Sequence, residues 1–233
     1  MVGILSVSAR VRTYLSINYL IYGACMARKA GEKERTGWTT REQREEAEAF
    51  ATSAIIMSAA AVEAFINELC ADCRDEGAKN SHGIPPAKAE LVGRVWSDVP
   101  KTEREGVLEK YEIVLRLAEL PRLDRKADAY QAVQNLLNLR NKLMHYKLSS
   151  QEFGVSHPDQ KLDDLEMRLR KSFPDNRQTP AGVPYFPYGL LGYGAAAWSV
   201  DTAVAFLDYF CGALSIRAPY ELSRPKLATN IAA

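Results

Sequence analysis

Residues 51–69, ATSAIIMSAAAVEAFINEL, place apolar side chains around nearly the whole circumference of a helix and contain no glycine, proline or turn signal. A helix with so little polar face has to be surrounded, so the fold must wrap other elements around this one. Those elements read as helical too. Few runs of alternating β-branched residues occur and no Asn-Gly or Asp-Gly hairpin turn, whereas apolar residues recur at helical spacing along most of the chain. The expected fold class is all-α.

Caps and breakers set the expected boundaries. The spacing predicts helices over residues 5–29, 39–74, 85–99, 102–120, 128–146, 158–172 and 195–214. Gly31 reads as the stop of the first helix, and Thr39 with Glu42 as a capping box opening the second. Pro85 and Pro86 start the third, Pro100 closes it, and Pro121 stops the fourth. Residues 173–194 carry four prolines and the aromatics Tyr185, Phe186, Tyr188 and Tyr193, a loop too long and too apolar for a passive linker. It is expected to lie against the body and cover a core edge; a surface for stacking bases or docking a partner chain is the second reading. From Arg217 onward the apolar rhythm fades, so the tail over 217–233 is expected to be loosely held.

Composition narrows the function. With 233 residues, 47% hydrophobic and 25% charged, the chain can build one core but not two, so a single domain over 1–233 is expected. Thirty Lys+Arg against 29 Asp+Glu leave a formal charge of +1, which excludes gripping polyanions by overall field; any nucleic-acid site must be local. Residues 181–200 lack charge, but they carry Pro184, Pro187, Gly189, Gly192 and Gly194; residues 51–62 run into Glu63, Asn67 and Glu68 before reaching spanning length. Buried core rather than a membrane span is expected at both. The N-terminus lacks a basic start followed by an apolar block and a cleavage site, so Cys25, Cys70, Cys73 and Cys211 are expected as free thiols in a reducing cytoplasm. No metal or other cofactor is expected, because Cys70-Ala71-Asp72-Cys73 is a lone pair and His82 and His157 stand at no ligand spacing.

The candidate chemistry lies on the fifth helix. At about 100° per residue, Tyr130, Val133, Leu136, Leu137, Leu143 and Met144 form one apolar stripe with Arg140 at its centre. On the second helix Glu63 shares a face with Ile56, Ala59, Ala60 and Ile66, with Asn67 one turn on, and a carboxylate there is expensive unless paired. An ion pair between Glu63 and Arg140 is therefore expected. On another side of the fifth helix Gln134, Asn138, Asn141 and His145 form a polar stripe without a carboxylate. Arg140, Lys142 and Lys147 add positive charge there, and no Asp or Glu occurs from residue 129 to residue 151.

The run Arg140-Asn141-Lys142-Leu143-Met144-His145 resembles the signature of the HEPN superfamily, an Arg followed after four to six residues by a His near a helix end. Residues 61–69, AVEAFINEL, are similar to the acidic helix often found upstream in that family. The resemblance covers about residues 39–147, within a core expected over 39–148. It implies a HEPN-like helical bundle, here with an extra N-terminal helix and a C-terminal loop-plus-helix extension, commonly homodimeric. It also implies a metal-independent endoribonuclease, often a toxin or antiviral effector, or in other members a structural or nucleotide-binding module. Arg140, His145 and Asn141 would then be catalytic. Glu63, Asn67 and Tyr146 would support them, Lys142, Lys147 and Asn138 would bind substrate, and the partners would be RNA, a second copy and an antitoxin or regulatory protein. Members controlled by a nucleotidyltransferase antitoxin carry a Tyr two residues after the His. Here Tyr146 follows His145 directly and Lys147 takes that place, which speaks against such control.

The roles also follow from the chemistry. Metal-free RNA cleavage needs a base for the 2′-hydroxyl proton, an acid for the 5′-oxygen and a cation for the charge on phosphorus. His145 suits either of the first two, Arg140 the third, and Asn141 could orient the phosphate or the imidazole. One histidine per chain cannot readily serve as both acid and base, and a twofold axis beside the fifth helix would bring a second. The competing readings are a silent module that binds a nucleotide or a protein partner, and a helical dimer in which Arg140 only neutralises Glu63. For His145 alone the competing role is a helix-end cation. Arg168, Arg170 and Lys171 read first as a solvated face and second as phosphate contacts.

Overall fold

The structure, a computed structural model, describes residues 12–76, 83–99, 101–146, 162–180 and 182–231. Among them the long elements are seven helices: α1 Ser16–Thr36, α2 Arg41–Glu76, α3 Pro86–Asp98, α4 Val107–Leu117, α5 Asp128–Met144, α6 Asp164–Ser172 and α7 Tyr193–Ala213. Short 3-10 turns at Thr102–Arg104 and Glu221–Leu227 and a wide turn at Tyr185–Gly189 complete the set, and no strand occurs among the described residues. The expected all-α class holds.

Helix α2 is surrounded as its composition demands, by α1, α7, α3, α5 and α4. Ala51, Ala54, Ile55, Ala59, Ala61, Val62 and Ile66 are fully buried, and α1 and α7 present Ala24, Ala27, Ala195, Ala196 and Ala203 in return. Small side chains on both sides let the backbones approach and fill the interior at crystal-like density. A hydroxyl pair inside, Ser58 and Ser199, is satisfied by a 3.3 Å contact and by the bond from Ser199 to the Ala196 carbonyl. By length and composition alone α2 could cross a bilayer, but half of its most apolar window is buried against these neighbours. Tyr111 of α4 anchors the other end of the core. Its hydroxyl donates to the Val62 carbonyl at 2.6 Å, and its ring meets Phe206 and Phe210 edge-on at 4.9 and 4.6 Å.

Several expected boundaries move, each for a local reason. Helix α1 runs straight through Gly31, where a Cβ would lie 2.3 Å from Ile231 Cδ1 and 2.7 Å from Tyr193 Cδ2. That glycine permits a close approach and stops nothing. The stop is Gly37, at φ +73°, whose N–H donates to the Lys33 carbonyl. The capping box of α2 sits one residue later than expected: Thr40 Oγ1 accepts from Gln43 N–H, and Gln43 Oε1 accepts from the N–H groups of Thr39 and Thr40. The helix expected over 102–120 breaks at Gly106 and closes early, with Glu119 at φ +57° and the Leu120 N–H on the Leu115 carbonyl. Helix α6 starts behind a capping box of Asp163 and Glu166, while residues 158–161 lie outside the described residues, as do 5–11 and Pro100.

Two findings concern the ends. Helices α1 and α7, the extra helix and the extension flanking the HEPN-like core expected over 39–148, are the principal packing partners of α2 and pack on each other. The tail expected to be loose is seated through residue 231: Ala218, Tyr220, Leu227 and Thr229 are buried, and Arg28 donates to the carbonyls of Lys226 and Ala228. Tyr220 and Arg224 both bond to Asp208 of α7.

The loop over 173–194 lies against the body, with Phe173, Tyr185, Phe186, Leu190 and Leu191 buried. Buried Tyr185 and Phe186 are not available to stack bases, so the core-covering reading describes them. Glu34 of α1 holds the loop by accepting from the N–H of Arg177 (3.1 Å) and of Tyr193 (2.7 Å), and Asn176 donates to the Leu191 carbonyl.

Candidate functional site

Helix α5 packs against α2, α6 and α7, and Lys142 near its C-terminus lies over Phe186 of the wide turn at Tyr185–Gly189. Tyr130, Val133, Leu136 and Leu137 of the apolar stripe are buried, Leu143 is half-buried, and Met144 is 56% exposed. The stripe thus comes to the surface in the last turn. On the polar stripe Gln134, Asn138, Asn141 and His145 are all exposed.

Arg140 and Glu63 meet. Arg140 Nη2 donates to Glu63 Oε2 at 3.1 Å, with 26% and 38% of the two side chains exposed. The pair is wetter than an apolar-stripe position suggests, because the surrounding stripe is already surfacing there. Arg140 Nε is buried without a hydrogen-bond partner. One donor of five on Glu63 leaves the guanidinium with capacity for a second anion.

Asn67 does not join this pair. Its Oδ1 accepts from Lys110 Nζ at 2.9 Å, and the Lys110 ammonium lies over the Trp96 ring. Asn67 is therefore committed to supporting a buried lysine, one turn of α2 away from Glu63.

Lys142 is committed as well. Its Nζ lies 2.6 Å from both Asp163 Oδ2 and Glu166 Oε1 of α6, and 4.5 Å from the centre of the Phe186 ring. Burial pulls its pKa down, but the bonds to Asp163 and Glu166 outweigh burial and raise it above the ordinary lysine value. Burial likewise pushes the Asp163 carboxyl up; Lys142 and the N–H groups of Glu166 and Leu165 outweigh it and hold the carboxyl below its usual range. The local excess of positive charge expected from α5 is thus corrected: α6 delivers two carboxylates to Lys142, and α2 delivers one to Arg140.

His145 caps α5 at φ −117° and ψ 43°, its N–H on the Asn141 carbonyl, and its side chain is exposed. Among the described residues no hydrogen bond to its imidazole or to the side chains of Asn138 and Asn141 occurs. Tyr146 is 53% exposed and stacks on Phe186 at 6.2 Å. Lys147 lies outside the described residues, as do His82 and His157. On α6, Arg168 donates to Asn135 and Arg170 pairs with Asp175, so these two are tied to the body.

The structure therefore unites Arg140, Glu63, Lys142, Tyr146 and His145 on one end of α5 and separates Asn67 from them. It adds Asp163, Glu166 and Phe186. The Asp163-x-x-Glu166 spacing could have been read as a cap, but nothing in it announces a lysine clamp. The Cys70/Cys73 pair is buried, and burial pushes the thiols up to about 12 and about 11, far from thiolate chemistry. In comparison with known proteins, the chain matches no family model, no curated protein and no solved structure.

Proposed function

We propose that the protein is a metal-independent endoribonuclease of HEPN type that works as a homodimer across the end of α5. The observation that supports this is the Glu63–Arg140 pair, which fixes a guanidinium five residues, about 7.5 Å of helix rise, before an exposed His145 whose imidazole has no hydrogen-bond partner among the described residues. His145 takes the 2′-hydroxyl proton, the 2′-oxygen attacks phosphorus, and the 5′-oxygen leaves with a proton from His145 of the partner subunit. Arg140 carries the charge that develops on the phosphate, and Asn141 orients it. Exposed Met144 and Tyr146 on either side of His145 supply apolar surface for the second copy.

The test is cleavage of a mixed RNA pool in EDTA. The wild type is expected to cleave at the same rate with and without chelator, and His145→Ala to lose about a hundredfold or more at unchanged helicity and melting temperature. Equal cleavage by the two proteins, equally folded, removes the nuclease reading. The second reading is a silent module that binds a nucleotide or a protein partner through the same surface. What favours it is the compensation of Arg140 by Glu63 and of Lys142 by Asp163 and Glu166. A melting temperature raised by nucleotides, without cleavage, supports that reading.

A further inference from the structure

The start of α1, the second half of α2 and the segment after α7 line a half-open cleft of about 320 Å³, the liquid volume of about ten waters. Its walls are Ile17 of α1, Phe65 and Leu69 of α2, and Ile216 and Pro219 beyond α7. Phe65 is backed by Tyr111 and Phe210, so this wall is firm. Three polar side chains also line the space: Tyr14, Ser16 and Glu68.

Glu68 is the anomaly. Its Oε1 accepts from the N–H groups of Leu15 (2.6 Å) and Ser16 (2.9 Å), and its Oε2 accepts from the Ser16 hydroxyl (2.5 Å). All three donors are neutral, and among the described residues no cation pairs with it. The Arg12 guanidinium bonds instead to Asp72 and Asp75. A carboxylate has about four acceptor positions, so one stays open. The Tyr14 hydroxyl donates to Asp72 at 2.9 Å and also interacts with the Arg12 guanidinium, so it is engaged on both sides. Capping α1 explains the three bonds to Glu68. Beside the cap it leaves a half-open apolar cleft of the size and lining that small organic ligands occupy.

We propose that this cavity binds a small organic cation, a primary amine on an aromatic or branched apolar body. Its ammonium donates to the open position of Glu68, and its body rests on Phe65, Leu69 and Ile216. A cation beside a carboxylate at an apolar wall gains more than it would in bulk water, and a pocket of this size and lining is typical of small-ligand sites. Glu63 and Glu68 stand about 140° apart around α2, so the site is independent of the proposed nuclease surface.

Titration calorimetry on the full chain tests this with phenethylamine as probe and 3-phenylpropionate as the anion of similar size. Phenethylamine is expected to bind one-to-one and 3-phenylpropionate at least about tenfold more weakly. Glu68→Gln, which keeps an acceptor and the shape, is expected to weaken the amine about tenfold or more. Ile216→Trp fills the space from the opposite wall without touching the bonds to Glu68, and it is expected to abolish binding; it decides the matter if Glu68→Gln fails to fold. No saturable binding of phenethylamine at millimolar concentration, equal binding of amine and acid, or undiminished binding in Ile216→Trp overturns the proposal.

Discussion

Glu63 and Arg140 face each other across the contact between α2 and α5 with a quarter to two-fifths of each side chain in solvent. At that exposure water screens the pair, so the roughly 3–5 kcal/mol that separates the partners of a dry pair does not apply. Glu63→Gln is expected to lower stability by about 1 kcal/mol in urea denaturation; a loss above about 3 kcal/mol would mean that the pair is desolvated. The meeting itself was legible in the sequence, because a lone cation in an apolar stripe and a lone carboxylate on an apolar helix each call for a partner. The clamp on Lys142 was not, since its partners lie 21 and 24 residues away on a helix whose packing no local pattern reveals. Asn67 shows the converse: its helical phase beside Glu63 was correct, and Lys110 of α4 still claimed it.

Among the elements, two glycines inside helices behave differently. A Cβ at Gly93 of α3 would lie 2.5 Å from the Cys73 carbonyl oxygen and 2.8 Å from Arg74 Cα, backbone atoms of α2 that cannot step aside. Gly93→Ala is expected to lift α3 and cost about 1–3 kcal/mol despite alanine's better helix propensity. Gly31→Ala meets the tip of Ile231 and the Tyr193 ring, so its expected effect is a near-neutral melting temperature with faster proteolysis of the tail. In sequence both positions look alike, which is why Gly31 reads as a stop. Helix α6 has its own signature in pH. Asp163 is held below its usual range, so its contribution is present above the unfolded carboxylate pKa and is lost as pH falls through the folded value. Lys142 is raised, so its share is present below the unfolded lysine pKa and fades only as strongly alkaline pH is reached. Amide exchange in α6 is expected to be slow at pH 6 and, corrected for intrinsic rates, to accelerate below pH 3.8, while Lys142→Met weakens that dependence and leaves the part due to the Glu166 and Leu165 N–H groups.

In the whole molecule the outer segments are structural members. The circumference of α2 announced that it would be surrounded, but nothing local told which helices would do it, because alanine-rich faces on α1 and α7 look like any good helix former. The tail was illegible for a related reason: Tyr220 is 1% exposed and bonds to Asp208 at 2.7 Å, a fixing that depends on α7 and leaves no periodicity in the tail's own residues. Deleting residues 217–233 is expected to cost about 3–5 kcal/mol, or roughly 10 °C in melting temperature, by uncovering α1 and α7. A scanning calorimetry trace identical to that of the full chain would show that the tail contributes nothing.

The bond from Arg28 to the Ala228 carbonyl joins residues 200 positions apart, and it has a consequence for synthesis. At about 5–20 residues per second, the face of α1 around Gly31 waits about 10–40 s for the chain that closes over it. During that interval its small-residue surface is open to any apolar segment nearby. Protein made faster than chaperones can shelter it is therefore prone to aggregate before α7 and the 3-10 stretch leave the ribosome.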